Sequence, residues 1–287
     1  MKKPLKIFTL MALGVSSLIY PINSSDATTK PKPMTIHFIN VDQGDATYIK
    51  TPNGDDILID AGNKGKGDAV VAYLKKQKVD DIEVMISTHP DADHVGGLDE
   101  VLAAYKVEAV YAPKVSHTTQ AYKDFLSAVK KEKLTIKTAK ADVQVALKDK
   151  SIKAKFVGPV KEYGKTDLNN WSAVLHVNYN KNHCLFTGDA EAHSEKDMIA
   201  KKYISKVDVL KVGHHGSKDS STQAFLNLAK PTYSIISVGA KNSYKHPTTE
   251  TLNRLTKVKS KIYRTDEKGT IKVVSDGQKI TITTEKK

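Results

Sequence analysis

The chain has 287 residues, of which 39% are hydrophobic and 27% charged. That balance excludes a disordered or fibrous chain and supplies apolar surface for one large core. Net charge is +13, from 45 Lys and Arg against 32 Asp and Glu, so polyanions such as nucleic acid, anionic lipid or wall polymer are compatible partners. The lysines are spread along the chain without interleaved aromatic residues, and solubility alone accounts for them equally well. Cys184 is the one cysteine, which rules out an intrachain disulfide. It lies in the apolar run "HCLFTGD" and reads as a buried structural thiol.

The chain begins with "MKKPLK", an apolar run of 14 residues ("IFTLMALGVSSLIY") and the small polar stretch "PINSSDA". The run is too short to cross a bilayer comfortably, and its flanks suit a signal peptide over residues 1–26, cleaved between Ser24 and Ala27. An uncleaved anchor is the alternative. No cysteine follows the run, which excludes a lipoprotein anchor. The expected location is therefore secreted or associated with the cell wall. Residues 27–33, with "TTKPKP", read as a linker, and one domain is expected over 34–287.

From Met34, β-branched runs alternate with helical patterns. "MTIHFINV", "ATYIKT" and "DDILIDAG" read as strands, the last two joined by the "PNGD" turn. "KGDAVVAYLKKQ" reads as a helix, "DIEVMIS" as a strand, "GLDEVLAAYK" as a helix, "EAVYAPK" as a strand and "TQAYKDFLSAVKKEK" as an amphipathic helix. The theme then recurs. "KAKFVGP", "SAVLHVNYN" and "HCLFTGD" are strands, followed by the helix "AEAHSEKDMIAKKY". "VDVLKVG" and "TYSIISVG" are strands alternating with the helices "STQAFLNLAK" and "TTETLNRLTKV", and "KIYRT" and "GQKITITT" close the chain. Two mixed sheets with helices outside, an α/β αββα four-layer sandwich, is the expected architecture.

In such folds chemistry sits on loops leaving strand ends. The loop "STHPDADHVGG" places His89, Asp91, Asp93 and His94 within six positions. Clustering two carboxylates with two imidazoles is costly unless a cation compensates them. A solvated polar turn is the bland alternative. "LFTGDA" delivers Asp189 at the end of an apolar strand, and "LKVGHHGS" delivers His214 and His215. "LIDAG" adds Asp60, and "VDQGDA" adds Asp42 and Asp45.

"LIDAG", "THPDADHVGG", "LFTGDA" and "LKVGHHGS", in this order along the chain, resemble the metallo-β-lactamase fold superfamily. "HPDADHVGG", "VDQGDATYI" and "LKVGHHGS" resemble the hydrolase branch that includes the C-terminal domain of the competence protein ComEC. The likeness spans nearly all of the chain after residue 34. It departs at Asp42, where that branch usually has glycine. The resemblance implies two divalent metal ions: His89 and Asp91 on the first, Asp93 and His94 on the second, Asp189 bridging, and His214 completing the second. Asp60 would support the loop as a hydrogen-bond partner, with Asp45 and Asn170 also placed around the ligands. A further histidine that many members carry before the Asp189 strand is missing from "DLNNWS", where Asn169, Asn170 and Ser172 stand instead. The first metal is thus completed by water, substrate or an asparagine oxygen. Oxygen donors at Asp91 and in that loop favour Mn²⁺ over Zn²⁺.

His215 and His246 remain to protonate a leaving group or hold a phosphate, with His246 also a possible ligand. Lys211 is a candidate clamp for an anionic oxygen, and Asp93 joins these catalytic candidates. His37, His117, His183 and His193 read as structural or solvent-facing, and His176 as a surface or packing residue. The expected function is metal-dependent hydrolysis of a phosphodiester in DNA. Hydrolysis of a small ester, lactone or β-lactam is a second reading. A non-catalytic polyanion-binding wall protein with a structural metal is a third.

Overall fold

A computed structural model describes Met1, Pro4 and residues 32–286. Apart from those two residues the expected signal peptide lies outside the described residues, as does most of the linker. The chain divides into two units, Met1–Lys30 and Pro31–Lys287, and every strand and helix among the described residues belongs to the second. No helix of the described residues is long and apolar enough to cross a membrane.

The first sheet starts as an antiparallel meander of β1 (Met34–Phe38), β2 (Thr47–Lys50) and β3 (Asp56–Ile59). Three strands then join in parallel: β4 (Ile82–Ile86), β5 (Val107–Ala112) and β6 (Ile136–Thr138). Their crossovers carry α1 (Gly67–Lys76), α2 (Ala92–Val95), α3 (Leu98–Ala104) and α4 (Gln120–Lys131). Parallel neighbours require such crossovers, whereas the β2–β3 hairpin closes through the short Pro52–Asp55 turn, in which the Gly54 amide donates to the Thr51 carbonyl.

The second sheet repeats the plan. β7 (Ile152–Gly158), β8 (Val174–Tyr179) and β9 (Asn182–Phe186) form a meander. β10 (Val209–Lys211), β11 (Tyr233–Ile236) and β12 (Lys261–Arg264) follow in parallel, connected through α5 (Ala192–Ala200), α6 (Gln223–Ala229) and α7 (Thr249–Lys257). Threonine side chains cap three of the helices: Thr119 on α4, Thr222 on α6 and Thr248 on α7 each accept a first-turn amide.

Alternate residues of the inner strands separate into different cores. Ile36, Phe38, Ile49, Cys184 and Phe186 pack between the sheets. Leu58 and Met85 face α1, α3 and α4 through Val70, Leu74 and Phe125. Leu185 and Leu210 face α5 to α7 through Met198, Phe225 and Leu255. The result is the expected four-layer sandwich, and burial on both faces explains the nearly unbroken apolar runs.

One element differs from the sequence reading. "IKVVS" forms β13 (Ile271–Ser275), after the short helix α8 (Thr265–Lys268), and β13 pairs with both β1 and β14 (Ile280–Thr284). The chain therefore returns to the first sheet, giving the order β14-β13-β1-β2-β3-β4-β5-β6 beside β12-β11-β10-β9-β8-β7. Its alternation is short and follows directly on another strand pattern, so the sequence does not separate it from "KIYRT".

His37 on β1 is buried, with Nδ1 2.7 Å from the Tyr73 hydroxyl and Nε2 3.1 Å from Thr35 Oγ1. Burial, followed by the Lys272 charge, pushes its pKa down to about 3 from 6.5. The unfolded chain then binds more protons than the folded one between these values. His37 thus contributes its full stability above pH 6.5 and loses it as pH falls toward 3, with a slope of up to roughly 1 kcal/mol per pH unit. Urea unfolding measured from pH 7 to pH 4 is expected to show a shallower loss for His37→Gln than for the natural chain.

Candidate metal centre

The chemistry-bearing loops leave the carboxyl ends of β3 and β4 in one sheet and of β9 and β10 in the other. These are the ends at which open parallel sheets bind ligands. Beyond β4 the chain bends at His89 and Pro90, is extended at Asp91, then turns once through α2. These changes of conformation bring His89 and Asp91, before the turn, and Asp93 and His94, within it, into one space. Asp91 is the extended residue preceding the turn, and its carbonyl accepts the His94 amide at 3.1 Å.

Close backbone contact holds this loop. A Cβ at Gly97 would lie 2.3 Å from the Ala61 carbonyl oxygen, so the β3 and β4 loops touch only because that residue is glycine. Gly44 plays the same part for "VDQGD": its φ is +130°, and a Cβ would meet the Asp93 carbonyl oxygen at 2.4 Å. Asp42 adopts φ 61°, a left-handed conformation that glycine prefers and aspartate tolerates. It is further held by a 2.5 Å ion pair with Lys66.

His94 is wholly buried. Its Nδ1 lies 2.9 Å from Asp60 Oδ2, and its Nε2 lies 3.2 Å from Asp189 Oδ2. Asp60 also accepts the Thr88 amide at 2.8 Å and the Thr88 hydroxyl at 2.6 Å. It therefore orients His94 and the start of the loop without entering the cleft. His89 Nε2 lies 3.4 Å from Asp91 Oδ2. Asp189 is set by Ser172, whose hydroxyl oxygen accepts its amide at 2.9 Å.

After β10 the chain enters a 3-10 turn, Gly213–Gly216, in which both His214 (φ 46°) and His215 (φ 50°) are left-handed. Two successive non-glycine residues there are strained, a cost that concentrates at functional sites. The turn divides the two imidazoles. His215 is 1% exposed, anchored through Nδ1 on the Ser237 carbonyl at 2.8 Å. Its Nε2 lies 3.3 Å from Asp93 Oδ2 and 3.4 Å from Asp189 Oδ2. His214 is partly exposed; its Nδ1 meets Glu191 Oε1 at 2.8 Å, and its Nε2 is 3.8 Å from Asp189 Oδ2. The expected ligand His214 thus lies farther from Asp189 than its neighbour and pairs with Glu191.

Lys211 was expected to reach an anionic oxygen of a substrate, and the structure corrects this. The residue is 2% exposed, ion-paired with Asp45 and hydrogen-bonded to the Gly188 carbonyl at 3.0 Å. Its Nζ also lies 3.7 Å from Asp189 Oδ1. The strand directs the ammonium beneath the site, so it neutralises carboxylates of the protein. Asn170 likewise points away: its Oδ1 accepts the amides of Glu191 and Ser194, and its Nδ2 donates to Asp167. Asn169, next to it, lines the cleft.

The donor set fits metal ions. His89 Nε2, His94 Nε2 and His215 Nε2 are buried without a hydrogen-bond partner, as is Asp189 Oδ1. Polar atoms left in this state are costly unless something completes them. Separations of 3.2 to 3.4 Å between nitrogen and oxygen donors suit atoms sharing a cation, for which metal–ligand bonds run about 2.0–2.2 Å. The charge balance points the same way. Burial opposes a charged His94, yet Asp189, Asp60 and Asp93 outweigh it and hold its pKa well above the ordinary value. Burial likewise opposes a charged His215, but Asp189, Asp45 and Asp93 push it up to about 10. The pocket attracts positive charge beyond what Lys211 supplies.

Above the donors opens a cleft of about 560 Å³, lined by Asp91, Asp93, Asp189, His214, His215 and His246, among others. His117, which the sequence placed among structural or solvent-facing residues, also lines it, as does Tyr244. Nothing near His117 in sequence signals the site, whereas Tyr244 stands two residues before the candidate His246. His37 and His183 lie outside the cleft lining, as do His176 and the exposed His193.

An αββα sandwich with His and Asp donors clustered at its inner strand ends can hold metal ions for hydrolytic chemistry. The family model described as the metallo-beta-lactamase superfamily matches residues 39–240, and the chain belongs to that superfamily. It is 29% identical over 270 residues to ComE operon protein 3 of Bacillus subtilis (strain 168), a match covering 88% of this chain and 34% of that protein. It is 31% identical over 267 residues to Recombination protein 2 of Haemophilus influenzae, covering 91% and 31% respectively. The chain therefore spans about a third of the length of these curated relatives, and the expected likeness to ComEC-like competence proteins holds. The metallo-beta-lactamase fold protein YhfI of Bacillus subtilis shares the fold, with a TM-score of 0.51 at 11% identity over 80% of this chain and 96% of that one.

Replacing Lys211 by Met leaves Asp45 and Asp189 buried without their ammonium. The expected loss is about 3 kcal/mol or more in metal-free protein, read from chemical denaturation. A loss near zero would show that the lysine is not the counter-charge of the site.

Proposed function

We propose that the protein hydrolyses phosphodiester bonds in nucleic acid, with DNA as the leading substrate, using two divalent cations, and that it does so after export. The observation that carries the reading is the ring of unpartnered imidazole nitrogens, from His89, His94 and His215, around the buried Asp189 carboxylate. The three aspartates beside them make the donor set rich in oxygen, which favours Mn²⁺ over Zn²⁺. The net charge of +13 supports a polyanionic substrate, and relatives such as Competence protein ComA of Neisseria gonorrhoeae support DNA. The leader-like first 26 residues support action outside the cytoplasm.

His89, Asp91 and Asp189 would hold one cation, and Asp93, His215 and Asp189 the other. The His94 ring lies between, 4.2 Å from the His89 ring and 5.3 Å from that of His215. His215 thus takes the ligand role that the sequence assigned to His214. Bound cations supply Lewis-acid activation of water and stabilisation of charge at phosphorus. The protein's own residues do the rest. Asp60 fixes the His94 ring, and Ser172 fixes Asp189. Glu191 tethers His214 at Nδ1, leaving its Nε2 to move a proton at the cleft wall. His246, 5.4 Å from His214 between ring centres, is placed to contact substrate.

Protein prepared without chelator is expected to nick plasmid and cleave oligonucleotides with Mn²⁺. Asp91→Ala and His94→Ala are expected to lose about 100-fold or more, at or beyond the upper end for residues that only support ligands. Elemental analysis separates the paired histidines: His215→Ala should lose bound metal, whereas His214→Ala should keep it and lose turnover. Full nuclease activity in Asp91→Ala or His94→Ala would overturn the proposal. So would turnover of nitrocefin or a lactone with none of any phosphodiester.

A further inference from the structure

Exposed large apolar side chains among the described residues, Met1 aside, are Leu126, Leu228 and Tyr244. Tyr244 alone of these lines the cleft, and it is 65% exposed. One face of its ring stacks on His246, with ring centres 5.8 Å apart and planes at 26°. Its exposure leaves the other face open to solvent.

The loop presenting it is pinned at several points. The Gly239 amide donates to Gln43 Oε1 at 3.2 Å, at the end nearest β11. Asn242 closes the turn from within: its Oδ1 accepts the His246 amide at 3.0 Å, and its Nδ2 donates to the carbonyls of Gly239 and His246. The Thr248 amide then donates to the Gly216 carbonyl at 3.0 Å, joining the loop to the turn that carries His214 and His215. These bonds fix the loop on the metal-ligand loop while its aromatic tip stays uncovered. Lys241 and Lys245, both exposed, flank the tyrosine in "KNSYKH".

A flat aromatic face at the rim of the donor cleft, on a loop that also carries two exposed lysines, matches one chemistry well. Bases stack on aromatic rings while the flanking phosphates meet cations. Resting on the function proposed above, we infer that the 241–246 loop reads the nucleotide beside the scissile phosphodiester. Tyr244 takes the face of its nucleobase, and Lys241 and Lys245 take neighbouring phosphates. This assigns the cleft a substrate-positioning wall, separate from the wall that carries the proposed metal ligands.

The test uses the full chain, a short oligonucleotide, and the same oligonucleotide with one abasic position stepped along it. Stacking on one base is worth about 1–3 kcal/mol, so Tyr244→Ala should lower kcat/KM on the intact strand by about 5- to 150-fold. Tyr244→Trp should restore it. At the register where the abasic position meets residue 244, the natural chain should already be slow, and Tyr244→Ala should cost nothing more. Equal losses on intact and abasic strands at every register, or no rescue by Trp, would overturn the assignment.

Binding gives a readout that does not need turnover. A strand carrying 2-aminopurine should be quenched by the natural chain and not by Tyr244→Ala, and absence of that difference would overturn the assignment. Quenching without cleavage would sustain the stacking wall and defeat only the nuclease reading. Lys241→Ala with Lys245→Ala should reduce the slope of log affinity against log salt by roughly 1.4, at about 0.7 per phosphate contact.

Discussion

The arrangement depends on negative charge being held out of water at the junction of two sheets. Asp45, Asp60 and Asp189 are buried there, and Asp91 and Asp93 face the cleft above them. The buried Lys or Arg among the described residues is Lys211, and it contacts Asp45 and Asp189 together. One ammonium cannot balance that many carboxylates, which is why the imidazoles of His94 and His215 are held toward their charged forms. A site in this condition favours divalent cations for electrostatic reasons, before any detail of coordination is considered.

The fold creates the junction by using one plan twice. In each sheet a three-stranded meander is extended by parallel strands, and the loops after the last meander strand and the first of the parallel strands carry most of the donors. The two sheets then face each other across a shared core of Ile, Phe and Val side chains, so each half supplies part of the ligand set. Asp91, Asp93 and the first two histidines come from the first sheet, and Asp189 and His215 from the second. β13 and β14 close the far edge of the first sheet through β1, and β1 leads into the loop of Asp45.

Local strain and local rigidity divide the work within the cleft. The left-handed pair His214 and His215 sends adjacent side chains to different tasks, one into the carboxylates and one to Glu191. The neighbouring 239–248 loop is hydrogen-bonded to that same turn. Any substrate contact made by its exposed tip is therefore positioned relative to the His and Asp donors by only a few bonds. Proximity of this kind would hold a substrate against the donors.

The alternation of strands and helices, the sandwich class and the sequence stretches bearing His and Asp donors were legible in the chain. They are local properties: hydrophobic period, turn residues, and ligand-type side chains crowded into six positions. The tertiary structure alone decided which of His214 and His215 enters the carboxylate cluster, because two left-handed residues in succession leave no periodic trace. It decided that Lys211 serves Asp45, since that ion pair joins positions 166 residues apart in sequence (211 minus 45). It also placed β13 in the first sheet and Tyr244 at the mouth of the cleft. Each depends on contacts between distant segments, whose energies a reading along the chain does not contain.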